Sequence, residues 1–367
     1  MNNNRLKRLE FIVTNDCNLN CKYCYANSGT YGQTPNYISR EVIDRTVELL
    51  HEFEINVIEE LVLFGGEPTM NLEAIEYLCR IMEKEFNNPL IKMVSNLTLL
   101  DEKLIYILKN YPINLTVSLD GPRFLNDEQR LFKNSTRSVF EVVSENLNLL
   151  NKENIRINSI ETTYTNHISK YMSRKEVASY IFDNFDNIDT VQVCDEYETF
   201  SDLAYPQHIF FRDLDIDESE IEKLSYINLK DESGDNYTNN ICSAGRNMIS
   251  IFSDGGIYPC HLFSKSINHI ANVFDDTELI REKYNNFIEK YDLYIKNIKG
   301  FCANCSNLKV CNICPAALID DIDQNNSIDY KLKEYKLSKE EIEYIKKLKI
   351  QLSSGACGNA LTCKCKD

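Results

Sequence analysis

The sequence has few of the residues that interrupt or loosen a fold. Its 367 residues include only 12 glycines and 8 prolines. These numbers exclude a collagen-like or largely disordered chain. Because 43% of the residues are hydrophobic, the chain can bury a core, and its length predicts one large domain and a smaller one.

Basic residues are in deficit. Lysine and arginine total 40 against 56 aspartates and glutamates, which gives a formal net charge of −16. Such a chain lacks the positive surface with which proteins wrap a phosphate backbone. We therefore do not expect nucleic acid as a partner.

Long apolar runs are missing. No stretch reaches the roughly 18 apolar residues of a membrane-spanning helix. The amino terminus, MNNNRLKRLEFIVTNDC, enters a strand-like pattern rather than the apolar core of a signal peptide. The sequence predicts a cytoplasmic protein without a membrane partner.

Cysteine, in contrast, is abundant, with 14 residues. In a reducing compartment they would not persist as disulfides, so most are expected to be metal ligands. Cys79 and Cys194 stand alone and are assigned to packing. The 5 histidines show no mutual spacing that forms a site, and His261, beside Cys260, is interpreted as structural or solvated.

Apolar runs of strand length alternate with helix-period segments, which predicts repeated β-α units and a parallel sheet. The strands are expected at 9–14, 60–65, 91–95, 115–120, 155–161 and 190–194. The helices are expected at 39–53, with Ser39 as N-cap, and at 71–86, 101–110, 138–152 and 173–184. The fold class is α/β, a partial (β/α)6 TIM-like barrel with its functional loops at the carboxyl ends of the strands.

Two domains are expected. Residues 1–235 form the partial barrel and include a connector at about 200–235, where no sustained periodicity is found. Residues 236–367 form a small Cys-rich domain that contains nine of the cysteines.

The first cysteine cluster is CNLNCKYC, with Cys17, Cys21 and Cys24 on the loop after the first strand. A four-iron cluster needs one thiolate per iron, so three cysteines leave one iron open to a small molecule with N and O donors. A zinc knuckle would need a fourth Cys or His close by. The residues that follow, 25–29, supply neither.

This spacing resembles the motif of the radical S-adenosylmethionine superfamily, with Tyr23 in its aromatic position and GGEP following the second strand as in that family. The resemblance implies a 4Fe-4S cluster on the three cysteines and S-adenosylmethionine at its open iron. In GGEP, the Gly65 and Gly66 amides are expected to face the amino-acid part of that cofactor and Glu67 to accept from its ammonium group, with Pro68 near a helix start. The family also implies cofactor contacts at Ser95, Asn96, Ser118, Asp120 and Arg130. Leu97 departs from the family, where many relatives have glycine.

The second cluster resembles the SPASM domain of peptide-modifying radical enzymes, which binds auxiliary iron-sulfur clusters. The resemblance implies two auxiliary 4Fe-4S clusters, and therefore three such clusters in all. The first would use Cys242, Cys260 and Cys314; the second would use Cys302, Cys305, Cys311 and Cys357, with Cys363 or Cys365 as alternatives there or as the missing ligand of the first. The other possibility for the first cluster is that its fourth iron stays open to a substrate thiolate. Two zinc ribbons over residues 302–314 are the alternative interpretation.

The resemblance implies a peptide maturase that cleaves S-adenosylmethionine reductively and abstracts hydrogen from a peptide. CYANSGTYG and ETTYT (161–165) look like maturases of Cys-rich ribosomal precursors, so we expect thioether crosslinks between sulfur and carbon. The partners are then a Cys-rich precursor peptide and an electron donor such as flavodoxin or ferredoxin. Because the front motif begins 16 residues into the chain, we expect no fused leader-recognition domain; another surface or a separate protein would bind the leader.

Three alternatives stay open. Carbon-to-carbon crosslinking of aromatic residues is a different reaction within the same class of enzymes. An anaerobic sulfatase-maturing enzyme, which forms formylglycine, shares the domain plan, and Asp195 or Glu196 could be its general base. A zinc-bound scaffold without turnover belongs to a different class; it predicts colourless protein, whereas iron-sulfur clusters predict brown protein.

Overall fold

The computed structural model describes residues 4–86, 88–196, 207–212, 244–263 and 269–302. Its centre is a sheet of ten strands. In chain order these are β1 (Arg5–Thr14), β2 (Val57–Gly65), β3 (Leu90–Ser95), β4 (Ile113–Ser118), β5 (Ile157–Tyr164), β6 (Ile188–Asp195), β7 (Gln207–Phe211), β8 (Met248–Ile251), β9 (Gly256–Tyr258) and β10 (Ala271–Asn272).

Helices follow most of the first strands. They are α1 (Arg40–Glu52), α2 (Leu72–Glu85), α3 (Glu102–Asn110), α4 (Arg123–Gln129), α5 (Val139–Lys152), α6 (Arg174–Asn184) and α7 (Thr277–Cys302). Ser39 caps α1 as predicted, because its side chain accepts a hydrogen bond from the Val42 amide. At α6, Ser173 and Glu176 form a reciprocal capping box.

The six predicted strands are present and run parallel. The sheet order is β10-β9-β8-β1-β2-β3-β4-β5-β6-β7, and each neighbouring pair from β1 to β6 is parallel. The α/β partial barrel is confirmed. The carboxyl ends of all six strands therefore lie at the same end of the barrel, where the loops that carry the predicted site meet.

Some elements differ from the sequence prediction. Residues 207–211, within the predicted connector, form β7, which pairs antiparallel with β6. The segment QHIFF is too short to show a period in the sequence, yet it covers the open edge of β6. Helix α4 and helix α7 were also not predicted. The boundary near 235 stays a prediction, since residues 213–243 lie outside the described part.

The Cys-rich region shares the sheet of the barrel. Strand β8 pairs parallel with β1 through Arg8, Leu9, Glu10 and Phe11, and β9 pairs antiparallel with β8. Strand β1 is therefore an interior strand with β2 on one side and β8 on the other.

One core runs between the sheet and its helices, and it includes Leu9, Phe11, Leu61, Leu78 and Leu115, all fully buried. Cys79 and Cys194 are buried as well, which agrees with packing roles. Across the described residues, none of the helices has the length and apolar character needed to cross a bilayer.

Candidate functional site

The cysteine loop, which we define as residues 15–29, leaves the carboxyl end of β1 and carries Cys17, Cys21 and Cys24. All three thiols are free and half-buried. Cys17 and Cys21 pack against the main core, and Cys24 packs against a smaller cluster that includes Tyr31 and Phe252. The loop thus carries three candidate sulfur ligands, each held in place by packing against buried side chains.

Burial is the largest influence on the pKa of the Cys17 and Cys21 thiols. It raises the pKa of Cys17 to about 12, with a further contribution from the Glu67 carboxylate. It also raises the pKa of Cys21 to about 11, against the opposing effect of Arg130. A thiol in such a place ionises only beside a strong positive charge, which a metal cluster provides.

N–H donors already point at the Cys17 sulfur. The Leu19 amide lies 3.4 Å from Sγ, and Nδ2 of Asn96 lies 3.8 Å from it. Hydrogen bonds to cluster thiolates are among the features that set the potential of an iron-sulfur centre. The residues present therefore fit a cluster ligated by thiolates.

A single metal ion fits less well. No group of three or more His, Cys, Asp or Glu side chains within the described ranges is arranged to hold one metal ion. Zinc needs its ligands to converge on one atom, whereas a four-iron cluster gives each thiolate its own iron. At this loop the donor set favours the cluster.

The GGEP turn packs directly under the cysteine loop. A Cβ on Gly66 would lie 2.1 Å from the Asp16 carbonyl oxygen, and one on Gly65 would lie 2.4 Å from that of Thr14. The Gly66 amide donates to Thr14 O at 2.8 Å, and the Glu67 amide donates to Asp16 O at 2.8 Å. These two amides tie the end of β2 to the loop, and the cofactor contact expected of the Gly66 amide stays a prediction.

Glu67 is buried, and both of its carboxylate oxygens have protein donors. Oε1 accepts from Thr69 Oγ1 at 2.6 Å and from Ser95 Oγ at 2.7 Å. Oε2 accepts from the backbone amide of Asn96 at 2.7 Å. Burial raises the pKa of Glu67 although these bonds oppose it. Glu67 thus joins the end of β2 to the end of β3, and Pro68 begins the short 3-10 helix Pro68–Asn71.

The turn after β3 reaches back to the cysteine loop through Asn96. Its Nδ2 donates to Asn18 at 3.0 Å, and its Oδ1 accepts from Thr98 Oγ1 at 2.6 Å. Leu97 is buried with φ of 51°. Glycine, which the resemblance implies at this position, adopts this left-handed conformation without strain, whereas Leu97 adopts it at a cost of about 1 kcal/mol.

The end of β4 supplies a buried ion pair. Asp120 accepts from Arg130 Nε at 2.9 Å and from Nη2 at 3.1 Å, and the Tyr23 hydroxyl donates to it at 2.5 Å. Burial works against the Arg130 cation, but Asp120 holds its pKa well above the usual value. Ser118, half-buried at the end of β4, pairs in register with Glu161 of β5.

A cavity of about 310 Å³ opens beside Tyr23 at the same end of the barrel. Its wall includes Gln129, Thr165 and Glu196. Glu196 therefore lies near the front motif. Asp195 is the last residue of β6, and its side chain is outside the described part.

Of the predicted auxiliary ligands, Cys260 is placed. It is buried just after β9, and the adjacent His261 ring lies stacked on Phe64 with centroids 4.6 Å apart. His261 Nδ1 lies 2.8 Å from Glu10 Oε1, and its amide donates to Glu10 Oε2 at 3.0 Å. His261 thus has a structural partner, as predicted.

The other auxiliary ligands are not tested by the structure. Cys302 is the final residue of α7, and nothing is described of its side chain. Cys242, Cys305, Cys311, Cys314, Cys357, Cys363 and Cys365 lie outside the described residues.

Sequence reasoning missed three residues at this site. Gly29 lies so close to Cys17 that a Cβ would be 2.6 Å from the Cys17 Cβ. Glu10 and Glu161 are acids on strands β1 and β5, and burial raises the pKa of Glu161. A charged residue inside the apolar run LEFIVT of β1 was the available signal for Glu10. Strand β5, INSIETTY, is largely polar and gives no such signal for Glu161.

Comparison with known proteins now identifies the class. Residues 11–176 match the family model for the Radical SAM superfamily. The radical SAM cyclopropyl synthase TigE of Paramaledivibacter caminithermalis is 30% identical over 168 residues, 40% of this chain and 34% of that protein. The subtilosin biosynthesis protein AlbA of Bacillus subtilis is 24% identical over 288 residues, 73% of this chain and 57% of that protein.

Two further matches extend along most of the chain. The cysteine-type anaerobic sulfatase-maturating enzyme of Clostridium novyi is 23% identical over 348 residues, 83% of this chain and 87% of that protein. The solved structure of anSMEcpe with bound AdoMet and the Cp18Cys peptide has a TM-score of 0.67 at 19% identity and covers 96% of this chain and 100% of that one. This last likeness shows the fold.

Residues 11–176 thus form a radical SAM domain, which covers the front motif, GGEP and the ends of β3, β4 and β5. The resemblance read from CNLNCKYC and GGEP is confirmed. The chain spans about a third of the length of TigE and little more than half of that of AlbA.

Proposed function

We propose that this protein is a radical S-adenosylmethionine peptide maturase that forms thioether crosslinks in a Cys-rich ribosomal precursor peptide. The observation that carries the proposal is the cysteine loop, where three supported thiols lie beside the GGEP turn and the ends of β3 and β4. The relative AlbA, a bacteriocin biosynthesis protein, and the peptide-bound neighbour anSMEcpe support a peptide substrate.

Cys17, Cys21 and Cys24 would hold the 4Fe-4S cluster. When bound, the cluster and S-adenosylmethionine supply an electron and a 5′-deoxyadenosyl radical. The chain's part is to bind and orient. Glu67 and Asn96 hold the loops that surround the site, and the half-buried position of the thiols limits their contact with water.

Two auxiliary 4Fe-4S clusters on the Cys-rich region belong to the same proposal. Cys260 would be one ligand, held next to β1 by the bonds between His261 and Glu10. Each thioether link removes two hydrogens from the peptide: one leaves as an atom to the 5′-deoxyadenosyl radical, and the other leaves as the thiol proton while one electron is released. Auxiliary clusters held by the Cys-rich region would give that electron a route out of the site.

The test is anaerobic incubation of the reconstituted protein with S-adenosylmethionine and a Cys-rich precursor encoded beside it. We expect 5′-deoxyadenosine and a peptide that is lighter by two hydrogens for each link, with fragmentation that places each link between a cysteine sulfur and a carbon. A Cys17→Ala variant is the control. Cofactor cleavage with an unchanged peptide mass contradicts the proposal.

Sulfatase maturation is the second candidate, because the match to the Clostridium novyi enzyme covers most of both chains. Glu196, in the cavity beside Tyr23, would then be the general base. A sulfatase peptide with a target cysteine distinguishes sulfatase maturation from thioether formation, since formylglycine replaces the thiol by an aldehyde.

A scaffold without turnover has its own test. Metal analysis of the anaerobically purified protein would support it by finding zinc in place of iron and sulfide.

A further inference from the structure

Asp120 and Arg130 form a buried ion pair, in which the Asp120 carboxylate is fully hydrogen-bonded within the protein. The Asp120 side chain has 0% exposure and Arg130 has 6%, and the carboxylate accepts two hydrogen bonds from the guanidinium. It accepts two more, from the Tyr23 hydroxyl at 2.5 Å and from the Thr163 amide at 3.1 Å. With four donors, the carboxylate has all its acceptor positions filled.

The backbone on either side of Arg130 is hydrogen-bonded to the backbone on either side of Cys21. Gln129 and Leu131, on either side of Arg130, accept hydrogen bonds from the Lys22 amide at 2.9 Å and the Asn20 amide at 2.7 Å. The Arg130 guanidinium also lies over the Tyr23 ring, 5.4 Å from its centre. The Arg130 cation, the Asp120 carboxylate and the Tyr23 phenol thus lie together at residues 20–23, the short segment that contains Cys21.

We propose that Tyr23, Asp120 and Arg130 form a positioning unit that fixes Cys21 and sets the reduction potential of the cluster held by Cys17, Cys21 and Cys24. The inference rests on the proposed function. A nearby cation stabilises the reduced, more negative cluster and raises its potential, whereas a carboxylate lowers it. Because Arg130 and Asp120 carry opposite charges, they shift the potential of the cluster in opposite directions. Salt screens these shifts only weakly in a buried site.

The experiment is a redox titration with dithionite, followed by electron paramagnetic resonance, on the full-length reconstituted protein without S-adenosylmethionine. The front cluster is recognised as the signal that changes when S-adenosylmethionine is added afterwards. We expect Asp120→Asn to raise its potential and Arg130→Gln to lower it, with iron content retained. Omitting the cofactor separates this effect from any direct cofactor contact.

Tyr23→Phe is the mild variant, because it keeps the ring and removes the hydrogen bond. With one donor fewer, the Asp120 charge is less neutralised, so we expect a smaller fall in potential than for Arg130→Gln. The matched control is Tyr77→Phe. The Tyr77 phenol donates to Asp44, and Arg40 and Arg80 lie 5.1 Å and 5.3 Å from its ring centre, but this group joins α1 to α2 and should leave the potential unchanged.

Shifts of the same sign for Asp120→Asn and Arg130→Gln, or no shift with full iron, would overturn the inference and leave the proposed function intact. If the Arg130 variant does not fold, Asp120→Asn and Tyr23→Phe decide by the same criterion, a rise and a fall. Failure of the unchanged protein to assemble an iron-sulfur cluster overturns the proposed function itself.

Discussion

At the residue scale, the polar groups at the carboxyl ends of β2, β3 and β4 are held by one another. Glu67 joins Ser95 and Asn96, and Asp120 joins Arg130. A buried carboxylate without partners costs several kcal/mol, so these hydrogen bonds are a condition for the site to exist before any cofactor arrives.

Replacement of Cys17 by alanine should remove the front cluster while leaving the fold in place. The thiol is one of three ligands, and two ligands do not retain a four-iron cluster. We expect about four fewer irons per chain and no cleavage of S-adenosylmethionine, measured by iron analysis and by chromatography of 5′-deoxyadenosine.

The matched variant is Cys79→Ala, which removes a fully buried thiol from α2. It should retain all of its iron and lose about 1 kcal/mol of stability in urea unfolding. Equal iron in the two variants contradicts the assignment of Cys17 as a ligand.

The sequence identified the chemistry of the residues but not all of their partners. Cysteine spacing pointed to the cluster because the ligands are close along the chain. The bond from Asp120 to Tyr23 joins residues 97 positions apart, and no local pattern contains it. Tertiary hydrogen bonds of this kind follow from which strands are neighbours, and that is settled only when the sheet forms.

At the scale of elements, the cysteine loop depends on close backbone packing at the GGEP turn. The Gly66→Ala substitution places a methyl group 2.1 Å from Asp16 O and 3.0 Å from the Gly29 Cα. These are backbone atoms, so the loop itself has to move. We expect a several-fold loss of bound iron with the far-ultraviolet circular dichroism unchanged.

Gly32→Ala is the control for that experiment. Gly32 has φ of 77° but no neighbouring atom within 4 Å of a built Cβ. The substitution should cost about 1 kcal/mol through backbone strain and leave iron binding intact. Similar iron loss in both variants would contradict the prediction, because Gly32→Ala introduces no close contact with the cysteine loop.

At the amino-terminal end of the sheet, three neighbouring strands share a charge cluster. Glu60 of β2 pairs with Arg8 of β1 at 2.8 Å and with Lys92 of β3 at 3.0 Å. Burial alone would raise the pKa of Glu60, but Arg8 and Lys92 outweigh it and lower this pKa to about 2.

The lowered pKa fixes the sign of a pH dependence. Because Glu60 is a stronger acid in the folded chain than in the unfolded one, its contribution is complete above about pH 4.5 and is lost as the pH falls toward 2. Glu60→Gln should therefore be less stable than the unchanged protein by about 3 kcal/mol at pH 6, with a gap that narrows toward pH 3. Urea titrations at several pH values measure this gap, and a constant gap contradicts the pairing.

Strand patterns between helix-period segments predicted the six parallel strands, because each of these strands spans at least six residues. Strand β7 was missed because five residues carry too little pattern, and α4 because its seven residues lie inside the loop after β4. Pairing of β8 with β1 was also beyond the sequence, because it joins residues about 240 positions apart.

At the scale of the whole molecule, Glu10 connects the Cys-rich region to the barrel. This buried acid of β1 accepts hydrogen bonds from Ser250 and from the amide of His261. Burial opposes its ionised form, but His261 and Ser250 outweigh that effect and lower its pKa.

Glu10→Gln should weaken that connection. The amide group turns a donor toward groups that themselves donate, which costs about 2 to 4 kcal/mol. Hydrogen exchange should speed up over residues 248–263 more than over β4 and β5. The control is Glu59→Gln, which removes an exposed ion pair with Arg5 and should cost less than about 1 kcal/mol; uniform acceleration in both variants contradicts the local role of Glu10.

The interior place of β1 has a consequence for shortened versions of the protein. A chain that ends before residue 248 would leave the peptide groups of Arg8–Phe11 without the partner strand that now covers them. A long, apolar, uncovered strand is a template for association with other copies. Truncated protein should therefore form insoluble aggregates even though every residue of the matched radical SAM region, 11–176, is still present.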